Sequence, residues 1–177
     1  MIIDNKADLD GLPADIIAAA AETAKTRGHE GKWVFTAHRP SKNPFLTYAN
    51  NRKLRETIYK GYTMRGDNDN EFDNQAIASE MASLRYQRAQ LLGYKTHAHY
   101  VLEERMAKTP EKVIHFLNDL LEKATPFAKK EFETLCAFAY KQDNIEELQK
   151  WDGAYYSEQL KKKLFDINDA QLKPYFK

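Results

Sequence analysis

From Thr109 to Asn144 the apolar residues recur at intervals of three and four, and only Pro126 interrupts the pattern. Val113, Phe116, Leu117, Leu120, Leu121 and Ala124 make the first half of the stripe, and Phe127, Phe132, Leu135, Phe138 and Ala139 the second. Side chains spaced this way share one face of an α-helix and alternate uselessly across a strand. The stretch also has a defined start. Thr109 supplies a capping hydroxyl, Pro110 needs no N–H in the first turn, and Glu111 sits near the positive helix end. Pro126 removes one backbone donor, so the helix is expected to kink or divide there before ending near Asp143-Asn144. A chain built round such a segment is committed to helix packing.

The same period runs through most of the remaining sequence. With only 7 glycines and 6 prolines in 177 residues, little in the composition opposes helix. Pro13 suits the first turn of a helix, and Leu12, Ile16, Ile17, Ala20 and Ala24 form one stripe that Gly28 closes. Asn43-Pro44 reads as the opening of a short helix through Tyr48, and Asn51 as the cap of the next, with Leu54, Ile58, Tyr59 and Tyr62 on its face. After the polar turn Arg65 to Asn70, Asp73 or Asn74 caps a helix whose apolar face is Ile77, Met81, Leu84 and Leu91, and Gly93 stops it. In that stripe Met81 is core filler. Thr96 to Met106 predicts a further helix with Tyr100 and Val101 inward. Asp152 opens the last long one, with Tyr155, Tyr156, Leu160 and Leu164 towards the buried side, and Asn168 to Gln171 looks like a further capping box.

One stretch departs from this period. Lys32-Trp33-Val34-Phe35-Thr36, set between Gly31 and Pro40, is aromatic and β-branched and predicts a single short strand over residues 32–36. No second strand is evident, so its partner is expected from a neighbouring segment of a longer polypeptide. The fold class is therefore mainly α, a multi-helix array of helical hairpins with at most one short strand. A chain of this length suits one domain, 1–177.

Charge and composition exclude several functions. The formal net charge is +1, with neither a basic excess for nucleic acid nor an acidic tail. Lys161-Lys162-Lys163 reads as a solvated helix face. No apolar run approaches the ~18 residues of a membrane span, and Met1 to Asn5 lacks the basic and apolar regions of a signal peptide. Cys136 is the only cysteine, which rules out an intramolecular disulfide and a cysteine zinc framework. Among Leu135, Ala137 and Phe138 it is read as a small buried hydrophobe, compatible with a reducing compartment.

Four sites resemble chemistry and fail a residue-level test. His29-Glu30 begins like a zinc protease motif, but the fifth position is Trp33, so two imidazoles cannot meet one turn apart. Asp67, Asp69 and Glu71 alternate like a calcium loop, yet Phe72 and Ala78 occupy the positions that need glycine and glutamate. His97 and His99 stand two apart on different helix faces. His115 and Asp119 are one turn apart and read best as an exposed or hydrogen-bonded pair. The five histidines (29, 38, 97, 99 and 115) give no zinc pair, no nucleophile elbow surrounds a serine, and there is no phosphate loop. No catalytic or metal-ligating residue is assigned.

The order Arg65, Glu71-Phe72-Asp73-Asn74, Leu91-Leu92-Gly93-Tyr94, Met106-Ala107-Lys108-Thr109-Pro110-Glu111 resembles the zinc oligopeptidases of the thimet oligopeptidase type. The likeness is greatest to their bacterial peptidyl-dipeptidase and oligopeptidase A branch. It extends from Asp8-Leu9-Asp10-Gly11-Leu12-Pro13 through Gly31 to Thr36, to Trp151-Asp152-Gly153-Ala154-Tyr155-Tyr156-Ser157-Glu158 and Leu172 to Phe176.

The resemblance implies a zinc-dependent parent that hydrolyses short peptides in a channel between two helical lobes. It aligns this chain upstream of the His-Glu-x-x-His helix, so the zinc ligands and the glutamate base are expected beyond Lys177. The chain is then a piece of channel wall, cut before the active site, inactive alone, and partnered by the remaining part of the same polypeptide. No cofactor is expected in it. The parent is expected in the cytoplasm, with the periplasm as the alternative. A standalone helical binding module is the competing reading. The substrate-binding residues are unknown, and the block Trp151, Asp152, Tyr155 and Tyr156 is read as packing in preference to substrate contact.

Overall fold

The computed structural model describes residues 1–167 and 175. In chain order they form β1 (Ile2–Ile3), a 3-10 turn (Lys6–Leu9), α1 (Ala14–Thr26), β2 (Trp33–Val34), α2 (Arg39–Tyr48) and α3 (Arg52–Thr63). Then follow α4 (Gln75–Leu91), α5 (His97–Leu102), α6 (Pro110–Asp143) and α7 (Gly153–Phe165). The mainly α architecture agrees with the sequence. The suggested capping box at Asn168 to Gln171 lies outside the described residues.

Two compact units divide the chain. The first comprises Met1–Met64 and Glu133–Lys177, the second Arg65–Phe132.

In the first unit, α1 packs through its small residues, with Ala20 and Ala24 buried. It ends as its glycine predicts. Gly28 adopts φ +73°, and its N–H reaches the Lys25 carbonyl while the His29 N–H reaches that of Ala24. These two bonds satisfy carbonyls the helix would otherwise leave open, in a Schellman arrangement. The strand is shorter than expected and is not alone. Ile2 pairs with Val34 and Ile3 with Trp33, antiparallel, and the Phe35 N–H extends the pairing to the Met1 carbonyl at 2.9 Å. The partner therefore lies within the chain, and the expected recruitment of an outside segment is corrected. Two residues are too few for period-two alternation to be visible.

The core of this unit gathers Ile3, Leu9, Leu12, Ala20, Phe35, Phe45, Leu46, Ala49 and Ile58. Phe35 meets Phe45 edge to face with ring centroids 4.6 Å apart, the arrangement their quadrupoles favour. A second cluster joins Phe138 and Ala139 of α6 to Tyr155 and Tyr156 of α7. Leu164 is exposed, against expectation, and Cys136 is only half-buried.

Helix α2 begins five residues earlier than Asn43-Pro44 suggests, at Arg39 in place of Pro44. Pro40 falls in its first turn and Pro44 inside it. The bond Pro44 cannot make would have gone to the Pro40 carbonyl, so one bond near the helix start is all that is lost. Helix α3 starts as predicted, the Asn51 side chain accepting the Leu54 N–H at 3.2 Å.

In the second unit, α4 ends at Gly93 (φ +82°) with the same pair of closing bonds, Gly93 N–H to Gln90 and Tyr94 N–H to Ala89. Asp73 Oδ1 accepts the Gln75 N–H at the other end at 2.9 Å. Helix α5 stops at Leu102, short of Met106; Thr96 caps it by accepting the His99 N–H. Helix α6 starts at Pro110 and runs unbroken through Pro126, which neither divides it nor ends it. Beside the proline, the Thr125 hydroxyl donates to the Leu121 carbonyl at 2.6 Å.

The apolar stripes of this unit are the main departure from expectation. Ile77, Met81, Leu84 and Leu91 of α4 are exposed, as are Val101 of α5 and Phe116, Leu117, Leu120, Leu121 and Phe127 of α6. Met81 is 45% exposed and no core filler. Within this unit Ala89 alone is buried.

Candidate functional site

The most organised polar cluster of the chain centres on Asp152, at the start of α7. Sequence reasoning made it a helix cap. It does precede the helix, but its side chain makes no capping bond. Instead the carboxylate turns inward, with side-chain exposure 0%, and collects donors. Arg52 contributes Nε at 3.1 Å and Nη2 at 2.8 Å; Arg55 contributes Nη2 at 3.0 Å; the Gln149 N–H adds a fourth bond at 3.0 Å. A buried carboxylate is tolerated only when so satisfied.

Its electrostatics follow from the same contacts. Burial alone would raise the Asp152 carboxyl. The hydrogen bonds from Arg52, Gln149 and Arg55 outweigh that and hold it below its ordinary value. The bond to Asp152 in turn keeps Arg52 charged, above its ordinary value. Arg55 is fixed on its other side by the Ala49 and Asn50 carbonyls at 2.8 and 3.1 Å, and the Tyr155 ring lies over its guanidinium at 4.0 Å.

Two tyrosines complete the cluster. The Tyr155 hydroxyl donates to Asn50 Oδ1 at 3.0 Å, and that of Tyr156 to Asp143 Oδ2 at 2.9 Å. Burial, then the Asp143 carboxylate, pushes the Tyr156 phenol well up, so it stays a donor. Asn50 also holds Asp10, through Nδ2 to Oδ2 at 2.7 Å, while Asn51 holds Asp8. The cluster thus ties the Asp8–Gly11 turn, the start of α3 and the start of α7 together. An open depression of about 550 Å³ lies at its edge, lined by Arg52, Glu146, Glu147, Gln149 and Trp151 among others. Arg52 is committed to Asp152 there. Its contacts are those of a buried carboxylate held by two arginines and a backbone N–H.

The other sequence candidates are spread apart. His29 and Glu30 lie in the turn after α1, off any helix. The acidic loop uses its oxygens locally: Asp73 accepts from Asp69 and Gln75 N–H groups, and Asp67 from the Gln75 amide. His99 meets Thr96 Oγ1 at 2.7 Å and Glu111 at 3.6 Å, while His97 sits against Tyr100. Asp119 pairs with Lys123 at 2.8 Å. Lys161 pairs with Glu158, and Lys162 and Lys163 lie over Tyr48 and Phe138. Among the described residues no three His, Cys, Asp or Glu side chains converge as a metal ion requires. What sequence reasoning missed was Arg52 and Arg55. A signal existed, since Arg55 stands three residues before Ile58, where a fully apolar stripe would continue.

The profile of Peptidase family M3 matches residues 45–177. The chain belongs to peptidase family M3. Within it, oligopeptidase A of Salmonella typhimurium is 42% identical over 99% of this chain and 26% of its own length. Dipeptidyl carboxypeptidase of Escherichia coli is 32% identical over 99% of the chain and 26% of its own length. The organellar oligopeptidase A of Arabidopsis thaliana is 34% identical, with 99% and 23% covered. The M3 chain therefore spans about a quarter of the length of the curated relatives it matches. Asp152 and its donors Arg52, Arg55 and Gln149 lie inside the region that the M3 profile covers, while Asp8 and Asp10 lie before it.

Proposed function

We propose that these residues are a non-catalytic helical segment of a zinc metallopeptidase that hydrolyses short peptides, and that they form part of its substrate-channel wall. The observation that carries the reading is the match itself: nearly all of this chain aligns with about a quarter of oligopeptidase A. The exposed apolar stripes of α4 and α6 support it, because surface of that kind in a segment calls for cover from the rest of its polypeptide.

Zinc belongs to the parent in this reading. The described residues do not fit the ion, since hydrolytic zinc needs three protein ligands with an open water position and no such group converges here. No step of hydrolysis is assigned to them. Short peptides and the remaining polypeptide are the partners, and the cytoplasm is the compartment. No described helix is long and apolar enough to cross a membrane.

The test is zinc content and peptide turnover of the 177-residue chain, using a quenched fluorescent peptide. The expected result is background turnover and no stoichiometric metal. One equivalent of zinc with chelator-sensitive cleavage would overturn the assignment. The parent gene is expected to encode a His-Glu-x-x-His helix outside these residues, which sequencing checks.

A further inference from the structure

No further inference is drawn: the strongest candidate, the apolar surface patch that Phe116, Leu120, Leu121 and Phe127 present along α6, is an unpartnered helix face and nothing in the structure shows what covers it.

Discussion

Asp152 and Arg55, 97 residues apart in sequence, meet at 3.0 Å with side-chain exposures of 0% and 1%. Arg52 reaches the same carboxylate from a half-exposed position, at 41%. The two arginines therefore hold one anion under different dielectric conditions.

That difference predicts unequal costs. Asp152→Ala leaves Arg55 buried without its counter-charge and is expected to cost about 3–5 kcal/mol. Arg52→Ala removes a partner that water screens, and about 1 kcal/mol is expected. Urea unfolding of both variants measures this. Equal costs would show that burial does not set the strength of the cluster.

The same carboxylate gives a pH dependence with a definite sign. Its folded pKa lies below the ordinary value of 3.8. The stabilisation is accordingly complete above that value and is lost as pH falls through the depressed one. Wild type and Asp152→Asn should differ by a constant amount from about pH 5 to 7 and converge on further acidification. A gap that widened in acid would contradict the sign.

Gly11 and Gly28 separate conformation from space. Both have positive φ, +84° and +73°. A Cβ at Gly28 meets nothing, whereas one at Gly11 would collide with the Tyr48 carbonyl oxygen and the Asn50 side chain. Gly28→Ala should cost about 1–2 kcal/mol, the penalty of the left-handed backbone. Gly11→Ala adds a clash of about 1–3 kcal/mol to that. Thermal or urea unfolding ranks the pair, and the reverse order would refute the close approach.

The face of α6 predicts the opposite of core behaviour. Leu121 and Phe127 are 64% and 72% exposed. Leu121→Lys and Phe127→Lys should each change stability by no more than about 0.5 kcal/mol, as surface substitutions do. Both should lower the binding of an apolar-surface dye. A loss on the order of 2 kcal/mol or more would mean these side chains are buried in the protein as it exists in solution.

Short-range signals in the chain located most of the helices and the ends of several. Asn51 and Thr109 cap the starts expected of them, and Gly28 and Gly93 the ends. Such signals act over three to five residues, through bonds between a side chain or backbone and the adjacent turn, so no distant contact has to be known. Local signals also stop short: Pro44 lies inside α2 and not at its start, and α6 is not divided at Pro126, because a helix that loses one bond at a proline keeps the others.

Which faces are covered, and where the polar interior lies, depends on contacts between segments distant in the chain. The stripe Ile16, Ile17, Ala20 and Ala24 finds a core; the equally periodic Ile77, Met81 and Leu84 does not. Periodicity says which side chains share a face and carries no information about what meets it. The strand partner Ile2–Ile3 and the Arg52–Asp152–Arg55 cluster likewise join residues 30 to 100 positions apart. Burial of Arg55 is stable only because Asp152 arrives beside it, and that condition is set by packing in space, where neighbours along the chain have no say.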